Sequence, residues 1–112
     1  MSKSKFLGEF EIVVLAATSR LGEGAYGIAI LSEIEEHSDR TVSIGALYAT
    51  LSRLERKNLV VSRMGEATPE RGGKAKRFYE LSGDGREQLE RSARMLQSLL
   101  SGVVNWNSGS AS

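Results

Sequence analysis

The stretch IGALYATLSRLERKNLVV, residues 44–61, decides how this chain folds. Its apolar residues recur at spacings of three and four, which predicts a helix with one buried stripe. Those residues are Ile44, Leu47, Leu51 and Leu54. Ser43 stands where a hydroxyl can cap the first turn, and Asn58 stands where a left-handed residue can end the helix. We therefore expect a helix over residues 43–57.

The remaining face of this helix carries small residues, one tyrosine and one long cation. They are Gly45, Ala46, Tyr48, Ala49, Thr50 and Arg53. Small side chains let a helix approach another surface closely, whereas a solvated face more often holds Glu, Lys and Gln. Two other readings stay open: Tyr48 could be an aromatic at the edge of the core, and Arg53 an ordinary exposed cation. The pattern favours a helix that docks into a groove.

Composition limits the functions open to the chain. Its 112 residues suffice for one domain with a modest core. With no cysteine and a single histidine, it offers neither disulfides nor a metal site, and we expect no cofactor. It shows no nucleophile–base pair that would indicate an enzyme. Since no apolar run approaches the roughly 20 residues that span a bilayer, we expect a soluble cytoplasmic protein without a membrane partner.

The net charge of +1 conceals a basic middle third. Residues 38–81 hold nine basic and five acidic side chains, a local net charge of +4. A cationic patch on a nearly neutral protein attracts phosphate without making the whole surface adhesive. The patch includes the 43–57 helix and the segment after it, which favours a nucleic-acid partner.

Two more helices precede the 43–57 helix, and a hairpin follows it. Residues 9–21 and about 26–37 have helical periodicity, and a short polar turn separates the second from the 43–57 helix. This order is typical of a helix-turn-helix, which enters the major groove of DNA. Residues 59–66 and 77–81 read as two strands joined by a glycine-rich tip. A hairpin in that place predicts a winged helix.

A last helix is predicted over residues 84–104. It has more apolar residues than so small a domain can bury, and Leu89, Leu96 and Val103 stand seven residues apart. Such a seam indicates a partner helix. Trp106 stands in the polar tail, where it is either a disordered leftover or a cover for this helix.

Four stretches resemble the PadR family of bacterial transcriptional regulators. They are AYGIAI at 25–30, VSIGALYATLSRLERKNLV at 42–60, TPERGGKAKRFYEL at 68–81, and Ser82-x-x-Gly85. The resemblance implies a winged helix-turn-helix DNA-binding domain over residues 1–82, a C-terminal dimerisation helix over 83–105 and a flexible tail over 106–112. The short C-terminus is similar to the subfamily whose dimerisation region is a single helix.

The sequence thus predicts a mainly helical fold, a winged helix-turn-helix with a β-hairpin wing. It also predicts a homodimeric transcriptional regulator that binds double-stranded DNA. The resemblance implies a repressor, and dimer symmetry implies an inverted-repeat operator. The 43–57 helix would enter the major groove, and the 66–77 wing would follow the backbone. Residues expected to contact DNA are Ser43, Gly45, Ala46, Tyr48, Ala49, Thr50, Arg53, Arg71, Lys74, Lys76 and Arg77. Residues expected at the dimer interface are Phe10, Val14, Leu89, Met95, Leu96, Leu99, Leu100 and Val103.

The alternative is a winged-helix adaptor that binds another protein without binding specific DNA. It would explain the fold equally well, but it would not need a helix face of small residues beside a basic patch. Whether a small-molecule effector acts on the protein stays open.

Overall fold

In the part of the chain that the structure describes, three α-helices and a β-hairpin precede a long C-terminal helix. The computed structural model describes residues 6–65 and 75–105. In chain order the elements are α1 (Glu9–Leu21), a 3₁₀ turn (Gly22–Gly24), α2 (Gly27–Glu36), α3 (Ile44–Arg56), β1 (Val60–Met64), β2 (Arg77–Leu81) and α4 (Gly83–Leu100). The predicted fold class, mainly helical with a two-stranded antiparallel hairpin, is confirmed.

The ends of α3 have the chemistry that the sequence predicts. The Ser43 hydroxyl accepts a hydrogen bond from the N–H of Ala46 at 3.0 Å, which satisfies one of the free amides of the first turn. Asn58 follows the helix with φ of 65°, a left-handed conformation that asparagine tolerates better than most residues. These two residues fix the length of α3.

The apolar stripe of α3 forms the centre of the core. Leu47, Leu51 and Leu54 are all 0% exposed, and burial of each side chain contributes about 2 kcal/mol. They pack in one cluster with residues of α1 and α2 that include Val14 and Ile30. The prediction that Val14 contacts a partner subunit is wrong, because its side chain is 0% exposed inside this core.

The hairpin is attached to the connection between α1 and α2. Tyr79 and Leu81 of β2 face the core, whereas Phe78 lies on the other face of the strand, as the alternation predicts. The N–H of Tyr79 donates to the carbonyl of Ala25 at 2.8 Å. The ring of Tyr26 meets that of Phe78 edge to face at 5.7 Å. The base of the wing is therefore held by backbone and aromatic contacts.

The motif Ser82-x-x-Gly85 joins the hairpin to α4. The Ser82 hydroxyl accepts the N–H of Gly85 at 2.9 Å, which caps α4, and donates to the carbonyl of Asn58 at 2.7 Å. Gly85 lies so close to the backbone of Leu59 that a Cβ there would stand 2.9 Å from the carbonyl carbon. Only glycine permits this approach, so Gly85 fixes how α4 leaves the domain.

The end predicted for α4 is wrong. The helix ends at Leu100, four residues before the predicted boundary, because Ser101 leaves the helical conformation and Gly102 has φ of 80°. The N–H groups of Val103 and Val104 turn back to the carbonyl of Leu100 at 2.9 and 3.0 Å. Val103 therefore lies in a turn and does not continue the seven-residue seam of the helix.

The close approach at Gly85 predicts a large difference between two glycine substitutions. Gly85→Ala should lower the free energy of unfolding by about 3 kcal/mol, because the new methyl group meets a backbone that cannot move aside cheaply. Gly83→Ala is the matched control, since a Cβ there meets no atom within 4 Å. It should change stability by less than about 1 kcal/mol. Urea unfolding of both variants measures the difference, and equal losses would contradict this account of the junction.

Candidate nucleic-acid interface

One stripe of α3 is left bare of other elements. Gly45, Ala49, Ser52 and Arg56 are all exposed. Ala49, Ser52 and Arg56 lie four, seven and eleven residues after Gly45. Because an α-helix has 3.6 residues per turn, all four residues share one side of the helix. Ser52 and Arg56 are absent from the predicted set of DNA contacts. The same spacing, extended from Gly45, could have identified them from the sequence.

Ser43, Ala46 and Tyr48 flank this stripe and are also exposed, as the sequence predicts. Tyr48 has 42% of its surface exposed, but its ring rests on the first residue of α2. A Cβ at Gly27 would stand 2.6 Å from Cζ of Tyr48. The tyrosine therefore lies at the rim between α3 and the first turn of α2. Contact of its hydroxyl with phosphate stays a prediction.

Thr50 does not belong to the exposed face. The prediction that it faces a groove is wrong, because the residue is buried, with 3% of its surface exposed. Its hydroxyl accepts a hydrogen bond from the guanidinium of Arg53 at 3.3 Å. The burial follows from its position, since Thr50 comes three residues after Leu47 and four before Leu54, two leucines that are fully buried.

Arg53 and Lys57 are held by a carboxylate of α1. Arg53 Nε and Lys57 Nζ donate to Oε2 of Glu11 at 3.3 and 2.8 Å. Oε1 of Glu11 accepts the N–H of Gly8 at 2.9 Å. Burial raises the pKa of Glu11, but the hydrogen bonds from Lys57, Gly8 and Arg53 and the charge of Lys57 together lower that pKa below its ordinary value. Glu11 is therefore ionised at neutral pH, and it ties Arg53 of α3 and Lys57, the residue after α3, to α1.

The cations at the base of the wing rest on aromatic and polar partners. Lys76 Nζ lies 3.6 Å from the centroid of the Tyr26 ring. Arg77 donates to the Ser62 hydroxyl at 2.9 Å, and that hydroxyl donates to Glu55 of α3 at 2.8 Å. These contacts order the two predicted DNA-contacting residues of the wing that the structure describes. The other two, Arg71 and Lys74, lie outside the described residues.

A second surface, formed by α4 and the start of α1, is apolar. Met95, Leu96 and Leu99 are 44%, 38% and 67% exposed. With Phe6, Leu7 and Ile12, the first two line a groove of about 230 Å³. The other residues predicted at a dimer interface differ in how far they are exposed. Leu89 and Phe10 are half-buried against the core, Leu100 is half-buried, and Val103 is 75% exposed.

The described residues give little support for a metal site or a membrane-spanning helix. Glu33, Glu36 and His37 could bring three ligand atoms within 4.8 Å of one another. However, Arg20 already donates to the Glu33 carboxylate at 2.7 Å and lies 3.0 Å from Nε2 of His37. A guanidinium in that position competes with a metal cation. Within residues 6–65 and 75–105, no helix combines the length and the apolar character needed to cross a membrane.

Comparisons with known proteins agree with these features. Residues 14–91 match the family described as "Transcriptional regulator PadR-like family". A PadR family transcription regulator from Clostridium difficile is similar with a TM-score of 0.68 and 23% identity, covering 88% of this chain and 100% of that chain. For a PadR-like regulator from Bacillus cereus the TM-score is 0.71 and the identity 24%, covering 89% and 92% of the two chains. No curated protein matches the chain.

A third solved structure, a PadR family transcriptional regulator from Eggerthella lenta, has a TM-score of 0.67 and 26% identity, covering 84% of this chain and 77% of that chain. The family match covers more than half of the sequence and includes α2, α3, the hairpin and the start of α4. The chain therefore belongs to the PadR-like family of transcriptional regulators, which are not enzymes.

Proposed function

We propose that this PadR-like regulator is a homodimeric repressor that reads an inverted-repeat operator. The α3 helix enters the major groove of double-stranded DNA, and the wing follows the phosphate backbone. The observation that carries the proposal is the bare stripe of small residues on α3, which ends in Arg56, in a protein whose family regulates transcription.

The shape of α3 suits the major groove. That groove is about 12 Å wide and admits one α-helix, provided that the helix face is narrow. Gly45 and Ala49 make the outer face of α3 narrow, and a Cβ at Gly45 would meet no protein atom within 4 Å. Ser43, Ala46 and Tyr48 border the face and would reach the groove walls. A protein-binding adaptor would not need its backbone this accessible.

The wing supplies the cations that contact the phosphate backbone of DNA. Lys76 and Arg77 are ordered at its base by the contacts with Tyr26 and Ser62. Arg71 and Lys74 belong to the same proposal, because the sequence places them with Lys76 and Arg77 among the cations of the predicted wing. Contacts of this kind release condensed counterions from DNA, which gives affinity to all sequences and strong dependence on salt.

The apolar surface of α1 and α4 supports a dimer. Leu99 is 67% exposed, and the groove beside Met95 and Leu96 is open to a partner. A second copy of the chain presents the same surface, so a two-fold axis can close it on itself. Two α3 helices related in this way would contact half-sites one DNA turn apart, about 34–36 Å. Repression is the mode that the family resemblance implies, since a dimer on its operator excludes other proteins from that DNA.

A charge on the bare stripe should abolish DNA binding. Gly45→Glu places a carboxylate against the groove and its phosphates, and affinity should fall by about 100-fold or more. The fold should survive, because the position is exposed and open. Gly83→Glu is the matched control, since it adds the same side chain to an open glycine at the start of α4.

Gel shifts with DNA selected from a random pool measure both variants, and circular dichroism verifies their folding. Gly83→Glu should bind like the wild type. A folded Gly45→Glu variant with wild-type affinity would remove α3 from the interface. A wild type that enriches no DNA sequence from the pool would favour the adaptor instead.

Charges on the apolar surface should separate the subunits. Leu96→Asp with Leu99→Asp would place two carboxylates in a desolvated seam, so light scattering should show a chain of 12.2 kDa instead of twice that mass. Affinity for the operator should fall by about 100-fold or more, since half of the phosphate contacts are lost. Gln97→Asp with Ser98→Asp is the control, because these exposed residues lie on the same turn outside the apolar stripe. A wild type of 12.2 kDa at micromolar concentration would contradict the dimer.

A further inference from the structure

Three cations lie near the end of α3, and the structure treats them differently. Arg53 and Lys57 share the carboxylate of Glu11, whereas no carboxylate of the described residues forms an ion pair with Arg56. Arg56 lies on the bare stripe with Gly45 and Ala49 and is exposed. Arg53 is also exposed, with 46% of its side chain accessible, so its ion pair and not burial sets it apart from Arg56. The three side chains therefore cannot be counted as equal contributors to one basic patch.

Helix geometry explains the difference. Gly45, Ala49, Ser52 and Arg56 form one stripe, at spacings of four, three and four residues. Ala46, Thr50, Arg53 and Lys57 form a second stripe with the same spacings, one residue later and so about 100° around the helix. The second stripe runs toward α1, because Thr50 is buried and both of its cations reach Glu11.

The pairing with Glu11 is specific. The side chain of Glu11 is 9% exposed, and its two oxygens accept three hydrogen bonds, from Gly8, Arg53 and Lys57. An ionised carboxylate that is this well buried strongly favours its cationic partners, since an unpaired charge in the same place would be costly. Thr50 holds a second nitrogen of Arg53. Leaving Glu11 for a phosphate would cost Arg53 two contacts.

We propose that Glu11 is a positioning residue that holds Arg53 and Lys57 away from DNA, so that Arg56 is the cation which α3 presents to the duplex. The inference rests on the proposed DNA-binding function and deepens it by assigning which residues of α3 take part. The cluster has a net charge of +1 held at the α1 side of the helix. The exposed guanidinium on the bare stripe is free to contact a phosphate of the duplex.

The dependence of affinity on salt tests this assignment, because a structural role alone would not change it. Each phosphate contact contributes about 0.9 to the slope of log K against log salt concentration. Arg56→Gln should reduce the slope by about one unit per subunit, whereas Arg53→Gln should leave it unchanged. The two substitutions remove the same charge from the same helix, so each is the control for the other.

Removing the carboxylate of Glu11 should make the dependence of affinity on salt steeper, whereas removing the charge of Arg56 should make it shallower. Glu11→Gln keeps an oxygen for the N–H of Gly8 but releases the two cations. The slope should become steeper by one to two units per subunit, a gain of about one per released cation. Arg53→Gln added to Glu11→Gln should remove about one unit of that gain, which would identify the released arginine.

The outcomes separate this inference from the proposed function. A wild type that binds selected DNA, with Arg53→Gln reducing the slope as much as Arg56→Gln, would overturn the inference and leave DNA binding intact. An unchanged slope in folded Glu11→Gln would overturn it as well. If Glu11→Gln failed to fold, the comparison of Arg53→Gln with Arg56→Gln would still decide. A wild type that bound no duplex at any salt concentration would end both proposals.

Discussion

Burial of Leu47, Leu51 and Leu54 is the constraint on which the rest of this structure depends. All three are 0% exposed, and together their burial contributes about 6 kcal/mol. No polar contact on the surface of α3 could compete with that sum, so the leucines fix the rotation of the helix about its axis. Each other side chain of α3 then points where its angle from the leucines dictates. Gly45 and Arg56 face outward for this reason, and Thr50 and Arg53 face α1.

The elements of the fold were largely predictable because they depend on local signals. Apolar spacing, Ser43, Asn58 and Ser82 determine where α3 and α4 begin and where α3 ends, and each signal lies within a few residues of its effect. The end of α4 was not predictable from apolar spacing alone. Val103 and Val104 continue the pattern, but the helix has already ended at Leu100, since Ser101 is extended and Gly102 has a positive φ.

The candidate site was predictable only in part, because its limits are set by contacts between distant residues. The small residues on α3 revealed an accessible face, but Glu11 is 42 residues from Arg53 and 46 from Lys57. No local pattern indicates that an acidic residue of α1 engages both cations. The same holds for Val14, whose spacing fits an outward seam as well as a core. Only the packing of α1 on α3 decides whether Val14 faces outward or lies in the core.

The α1 helix links the two surfaces on which the proposed function depends. Glu11 contacts the cations of α3, and the next residue, Ile12, lines the groove beside α4. A partner subunit bound in that groove would therefore contact α1, the helix whose Glu11 holds the cations at the end of α3. If the protein assembles and binds DNA as proposed, both activities would depend on the same helix.

The central claim is that the bare stripe of α3 contacts DNA, and an NMR titration tests it most directly. The backbone amide signals of ¹⁵N-labelled protein would be followed as duplex DNA selected from a random pool is added. The account predicts that the largest shifts occur at Gly45, Ala49 and Ser52, while Gln97 and Ser98 of α4 remain unchanged. Saturating DNA that shifted the α4 signals and left those of α3 in place would contradict it.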